Sequence, residues 1–106
     1  MIEEITVGEL KRLHDGGDDF ILLDVREPEE LATASIPWAK WIPMREIPAR
    51  IGELPREKPI VCMCHHGARS ERVAEFLTAT GYDKAVNLGG GIDAWSCSVD
   101  PTVPRY

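Results

Sequence analysis

The chemistry legible in this chain gathers at Cys64, which opens the run Cys64-His65-His66-Gly67-Ala68-Arg69-Ser70. Apolar Ile60-Val61-Cys62-Met63 precedes it, and Val73, Phe76, Leu77 and Thr80 beyond it keep helical spacing. The pattern predicts a buried strand, a tight loop and a helix with Ser70 as its N-cap. Cys64 then stands at the carboxyl end of a strand, facing the positive end of a helix, where open amides favour an anion. A thiol so placed ionises readily, because the thiolate is the form being stabilised. Arg69 adds a positive charge and a forked pair of donors suited to an oxyanion. Gly67 lets the backbone turn with positive φ and present its amide. The expectation is a thiolate working on an anionic substrate. Cys64 and Arg69 are the catalytic candidates, with His65, His66, Gly67, Ala68 and Ser70 as substrate contacts.

Other residues of reactive type have plainer readings. Cys62-Met63-Cys64-His65-His66 contains good zinc-ligand types. Adjacent ligands crowd one side of an ion, however, and Arg69 repels a cation. Cys62 and Cys64 are also expected to point to opposite faces of the strand, which argues against a shared metal and against a mutual disulfide. No metal is expected. Cys62 reads as a small core hydrophobe and Cys97 as an incidental or structural thiol. Asp24 and Arg26, at the end of a buried strand, are expected to tie neighbouring loops together by charge-assisted hydrogen bonds. His14, on a helix, reads as a surface or boundary residue. Arg72, one turn beyond Arg69, either reinforces the positive field or lies on a solvated face.

Composition narrows the classes. The chain has 106 residues, 43% of them apolar and 28% charged, which suits one ordinary core. A net charge of −6 leaves no basic stripe for nucleic acid, and it means that an anionic substrate must be attracted locally. No apolar run approaches the ~20 residues of a membrane span. The acidic start Met1-Ile2-Glu3-Glu4 lacks the features of a secretory signal, so the cytoplasm is the expected location. Three cysteines, an odd number, do not make a disulfide framework.

In chain order, Thr6-Val7-Gly8-Glu9 forms a capping box opening a helix that turns Val7, Leu10 and Leu13 inward and stops at Gly16-Gly17. Phe20–Val25 suits a strand covered on both faces, and Arg26–Leu31 follows as a loop and short helical turn. Ala39–Ile42 is a short strand ended by Pro43. Met44–Ile51 is helical if Pro48 falls in a first turn. Pro55–Pro59 is a polar turn. Gly81 ends the central helix, Ala85–Leu88 is a final strand, and Gly89-Gly90-Gly91 leads into a short helix at Ile92–Trp95. Val99–Tyr106 is irregular. This alternation predicts an α/β domain with a mostly parallel sheet and ligands at the carboxyl ends of its strands.

Three of these segments together are similar to the signatures of rhodanese domains: Leu22-Leu23-Asp24-Val25-Arg26-Glu27-Pro28-Glu29-Glu30, Cys64 to Ser70, and Gly89-Gly90-Gly91-Ile92-Asp93-Ala94-Trp95. They stand in the family's order and spacing. The resemblance implies one rhodanese-like domain over residues 1–106, with a three-layer fold and a central, mostly parallel five-stranded sheet. It also implies a sulfurtransferase whose cysteine cycles between thiolate and persulfide. A donor such as thiosulfate would supply the sulfur, and cyanide or a thiol, including one on an acceptor protein, would remove it. No organic cofactor is needed. The six-residue span from Cys64 to Arg69 is the length associated with sulfur transfer; a related phosphatase family has one residue more. The alternatives are a docking or regulatory module and a cysteine-dependent phosphatase or arsenate reductase.

One segment departs from the pattern. Where the family carries Gly-His-Ile-Pro-Gly-Ala, this chain has Ala34-Ser35-Ile36-Pro37-Trp38-Ala39. Trp38, with Trp41 beside it, is expected to line the approach to Cys64 or a surface where an acceptor docks; the competing reading is that Trp38 is buried against the sheet and serves only the core.

Overall fold

The computed structural model describes residues 2–106. Five strands form one sheet: β1 (Glu4–Ile5), β2 (Ile21–Asp24), β3 (Lys40–Trp41), β4 (Ile60–Met63) and β5 (Ala85–Leu88). Their order is β1-β5-β4-β2-β3, and every pairing is parallel. The α/β expectation holds, and the sheet is parallel throughout. The two-residue edge strand β1 has no alternating pattern of its own and gave no sequence signal. It exists because Glu4 and Ile5 lie in register with Asn87 and Leu88 of β5.

The helices form where local signals ask for them. Thr6 Oγ1 accepts from the Glu9 amide and Glu9 Oε1 from the Thr6 amide, so the capping box starts α1 (Val7–Asp15). Helix α2 (Pro28–Thr33) begins with proline, whose missing N–H costs nothing in a first turn. Pro48 lies in the first turn of α3 (Ile47–Arg50), and 3₁₀ turns at Met44–Glu46 and Ile51–Glu53 flank it. Helix α4 (Ala68–Ala79) follows β4, with Gly81 just beyond its end at φ +100°. Helix α5 (Gly91–Ser98) follows β5. Among the described residues no helix is long and apolar enough to cross a membrane.

Strand alternation splits the core into two layers. Leu23, Val25, Cys62 and Cys64 face one side, packed with Ile47 of α3 and with Val73, Ala74 and Leu77 of α4. Leu22, Val61, Met63 and Leu88 face the other, against Leu10 of α1 and Ile92 and Trp95 of α5. Both faces of β4 are thus covered, which explains its unbroken apolar sequence. With β4 central in the sheet, Cys64 at its carboxyl end opens into a protected corner.

This layering corrects two expectations. Cys62 and Cys64 face the same side, because side chains two apart on a strand share a face. The opposite-face reasoning against a shared ligand set or a disulfide therefore falls. Trp38 packs in the other layer, stacked on His14 with ring centroids 3.9 Å apart and edge-on to Phe20 and Trp95. The sheet separates it from Cys64, so it lines no approach to the sulfur. The indole fills the gap beside α1 and α5, where its apolar area finds partners.

Candidate active site

The Cys64 loop is held from below by the last helix. The amides of Ile92 and Asp93, in the first turn of α5, donate to the carbonyls of Cys64 (2.9 Å) and His65 (3.1 Å). This approach requires glycine at position 91: its φ is +59°, and a β-carbon there would lie 2.4 Å from both carbonyl oxygens. The glycine run thus brings the start of α5 against the loop carrying the sulfur.

The loop then turns at Gly67, with φ +118°, and α4 begins at Ala68 with Gly67 as its N-cap. Ser70 was expected at that cap. Instead the left-handed glycine starts the helix earlier and turns the Ser70 hydroxyl inward, fully buried. Ser70 Oγ lies 3.3 Å from Cys64 Sγ, 3.2 Å from the Gly67 carbonyl and 2.6 Å from Asn87 Oδ1. Asn87 Nδ2 donates to the Gly67 carbonyl at 3.0 Å. Asn87 of β5, which the sequence did not single out, therefore braces the turn from the neighbouring strand.

Cys64 Sγ accepts from the Gly67 amide at 3.1 Å. Burial alone would push its thiol up, since the side chain is 1% exposed. The Ser70 hydroxyl and the amides of Ser70, Gly67 and Arg69 outweigh that effect, and the thiol is held below its ordinary value. Cys62, equally buried, has no such donors. Desolvation, then the nearby Cys64, pushes its thiol up to about 12. Cys97 is exposed, and all three cysteines are free thiols.

The charged expectations meet in one network. Arg26, fully buried, donates through Nε and Nη2 to the two carboxylate oxygens of Asp24 at 2.9 and 2.7 Å. Its Nη2 also reaches the Ala34 carbonyl at 2.9 Å. Arg26 thereby joins the end of β2 to the segment after α2. Desolvation opposes its charge, but the bonds it donates to Asp24 and Tyr106 prevail and raise its pKa. Trp41 Nε1 donates to the Arg26 carbonyl at 2.8 Å, so this indole supports the same corner.

Arg69 lies at the rim with both arms on Glu30, Nη1 to Oε1 at 2.6 Å and Nη2 to Oε2 at 2.9 Å. Glu30 Oε1 also accepts from the Glu27 amide at 3.1 Å, and Oε2 from the Tyr106 hydroxyl at 2.7 Å. The bonds from Arg69 come first among the causes that bring the Glu30 carboxyl down to about 2. Tyr106 accepts from Arg26 Nη1 at 2.9 Å and stacks on His65 with centroids 4.0 Å apart. Desolvation first, and Glu30 with it, pushes the tyrosine up to about 12, so it remains a donor. His65 Nε2 is buried and unpartnered beneath this stack. His66 and Ala68 are exposed, and His66 Nδ1 lies 3.9 Å from Asp93. Arg72 is exposed on α4.

Glu30 and Tyr106 do not stand out in the sequence as site residues. Glu30 carried one usable signal, because Glu27-x-x-Glu30 completes a capping box on α2. Tyr106 carried none. It lies in the irregular tail, which is anchored by buried Val103, by the Ser96 hydroxyl on the Val103 carbonyl, and by Arg105 on Asp93.

Comparison with known proteins agrees with this architecture. A sulfurtransferase of Allochromatium vinosum is 38% identical over 96 residues, covering 91% of this chain and 90% of the relative. The thiosulfate sulfurtransferase GlpE of Tolumonas auensis is 32% identical over 74 residues, 70% of each protein. The crystal structure of a rhodanese-like domain protein from Staphylococcus aureus superposes with a TM-score of 0.86 at 35% identity, covering 99% of both chains. The rhodanese-like domain profile matches residues 6–97, and the chain belongs to the rhodanese-like family.

Proposed function

We propose that this protein is a sulfurtransferase that carries sulfane sulfur on Cys64 as a persulfide, taking it from thiosulfate or a similar sulfane donor and passing it to cyanide or a thiol. The observation that carries this reading is the convergence of a hydroxyl and three amides on a buried sulfur beside the N-terminus of α4. The relatives named sulfurtransferase and thiosulfate sulfurtransferase support it. Such a cradle stabilises negative charge on a sulfur, and on a second sulfur joined to it, as an oxyanion hole does.

In the first step the Cys64 thiolate attacks the outer sulfur of thiosulfate. The new S–S bond forms as the old one breaks, and the electron pair leaves on sulfite: Cys–S⁻ + S–SO₃²⁻ → Cys–S–S⁻ + SO₃²⁻. In the second step a nucleophile takes the terminal sulfur and returns the thiolate; with cyanide, Cys–S–S⁻ + CN⁻ → Cys–S⁻ + SCN⁻. The covalent intermediate divides one transfer into two easier ones. Amides from Gly67 to Ser70 hold the persulfide charge, and His65 and His66 shape the mouth of the loop. Arg69 is the cation at the rim for the donor's sulfonate, and the Asp24–Arg26 pair keeps the corner rigid.

Mass spectrometry of the intact protein after mixing with thiosulfate tests the reading. One added sulfur atom should appear, map to Cys64, and disappear on treatment with cyanide. Cys64→Ser should show no gain. Added mass on Cys62 or Cys97, or none on the wild type with any sulfane donor, would overturn the proposal.

A further inference from the structure

The rim of this site is already occupied by a carboxylate. Both guanidinium arms of Arg69 are spent on Glu30, whose two oxygens together accept from Arg69, the Glu27 amide and the Tyr106 hydroxyl. Tyr106 is held in turn by Arg26 and by stacking on His65, and Arg105 beside it is paired with Asp93. The tail thus bridges α5 and α2 across the mouth of the loop. Glu30 is half-buried, its side chain 18% exposed, so its charge is poorly screened. A dianionic donor meets this charge and must displace Glu30 from Arg69 before it gains a forked contact of its own. A donor without a dianionic head pays neither penalty.

We propose that Glu30, braced by Tyr106, is the specificity-determining residue of this site, and that by occupying Arg69 it directs sulfur uptake towards organic persulfides and away from dianionic donors such as thiosulfate. This rests on the reading of Cys64 as the persulfide carrier and names its preferred donor class. Uptake from a persulfide needs no arginine for the leaving group. The bond from Cys64 to the terminal sulfur forms as the R–S bond to that sulfur breaks. The electron pair leaves on the organic sulfur, which takes the persulfide proton: Cys–S⁻ + R–S–SH → Cys–S–S⁻ + R–SH. Persulfides release a thiol of ordinary leaving ability, and the amides around Cys64 serve both donors alike. Glu30 touches no reacting atom; it acts through Arg69.

The test compares wild type, Glu30→Gln and Tyr106→Phe in single-turnover loading of Cys64 by thiosulfate and by 2-hydroxyethyl persulfide, a donor with an uncharged organic head. Wild type should load faster from the persulfide. Glu30→Gln should raise the thiosulfate rate constant at low donor concentration roughly tenfold, the scale of releasing one charge-assisted pair. This gain should come through a lower half-saturating concentration, while the persulfide rate stays within about twofold. Tyr106→Phe should move thiosulfate the same way by a smaller factor. A second readout needs no turnover: the concentration of sulfate that half-protects Cys64 from iodoacetamide, each variant measured against its own unprotected rate. Glu30→Gln should lower it roughly tenfold. Unchanged sulfate protection, or Glu30→Gln slowing both donors equally, would overturn the donor-selection proposal. Failure of the wild type to load from either donor would instead overturn the persulfide reading, leaving sulfate protection to judge Glu30. If Glu30→Gln does not fold, Tyr106→Phe carries both readouts.

Discussion

Cys62 and Cys64 lie on one strand, face one side and are 0% and 1% exposed, yet their thiols are driven in opposite directions. Burial raises both. At Cys62, mid-strand, the neighbouring amides are committed to the sheet and nothing donates to the sulfur, so desolvation decides. At Cys64 the ladder has ended, and the Ser70 hydroxyl and the amides of Ser70, Gly67 and Arg69 are free to aim at the sulfur. The direction of the shift is a matter of unspent donors, not of exposure.

The comparison can be broken outright by exchanging the sulfurs for other groups. Cys64→Ser should reduce sulfur loading to background. Cys62→Ala should load normally and lose only about 1 kcal/mol of stability, the scale of a small buried truncation. Loading on a Cys64→Ser protein, measured by intact mass, would erase the distinction between the two sites.

Gly91→Ala attacks the donor geometry from below. The added β-carbon would meet the Cys64 and His65 carbonyls at 2.4 Å, so the loop or α5 must move. A destabilisation of about 2–4 kcal/mol is expected, from forcing a left-handed residue and a clash together. Cys64 alkylation should slow while Cys62 remains inert. Urea melts beside alkylation rates check this, and an unchanged rate would mean that α5 does not position the loop.

Ser70→Ala removes one donor and leaves the amides. The pH at which Cys64 alkylation levels off should rise towards that of a free thiol, with the loading rate falling by a factor of roughly ten, the scale of one hydrogen bond to a charged acceptor. Because the Cys64 pKa is lowered on folding, its ionisation adds stability above the unfolded thiol value, and that stability is lost as pH falls through the folded value. Ser70→Ala should shrink this contribution. An alkylation profile superimposable on wild type would assign the shift to the amides alone.

The smallest expected effect sharpens the other half of the contrast. The Cys62 pKa is raised on folding from 9.0 to about 12. Its contribution is therefore complete below pH 9.0 and is lost as pH climbs towards 12. Cys62→Ala should flatten part of the alkaline loss of stability over that window, read from urea midpoints. Equal slopes in the two proteins would show that Cys62 binds its proton no more tightly in the folded chain than in the unfolded one.

Much of this molecule was legible because its signals are local. The Thr6–Glu9 capping box, the span Ala85–Leu88 and the strand-loop-helix order around Cys64 each depend on residues a few positions apart, and each formed as expected except for the first turn of α4. The shared face of Cys62 and Cys64 follows equally from a strand's period of two, and the expectation of opposite faces was an error of that period, not of missing tertiary information. Other features depended on how elements meet. Ser70 lost the cap because Gly67 took a left-handed turn under the bracing of Asn87 from another strand. Trp38 went to the layer of α1 and α5 because its partners Phe20 and Trp95 lie there. Glu30 and Tyr106 reached the rim across 39 and 37 residues from Arg69, as their positions count. Sequence by itself determined the inner strands, the longer helices and the place of Cys64 at the end of β4, because backbone propensity and hydrophobic period act at short range. Tertiary packing alone decided which charges meet at that sulfur, because a contact between distant residues exists only once the sheet has brought their elements together.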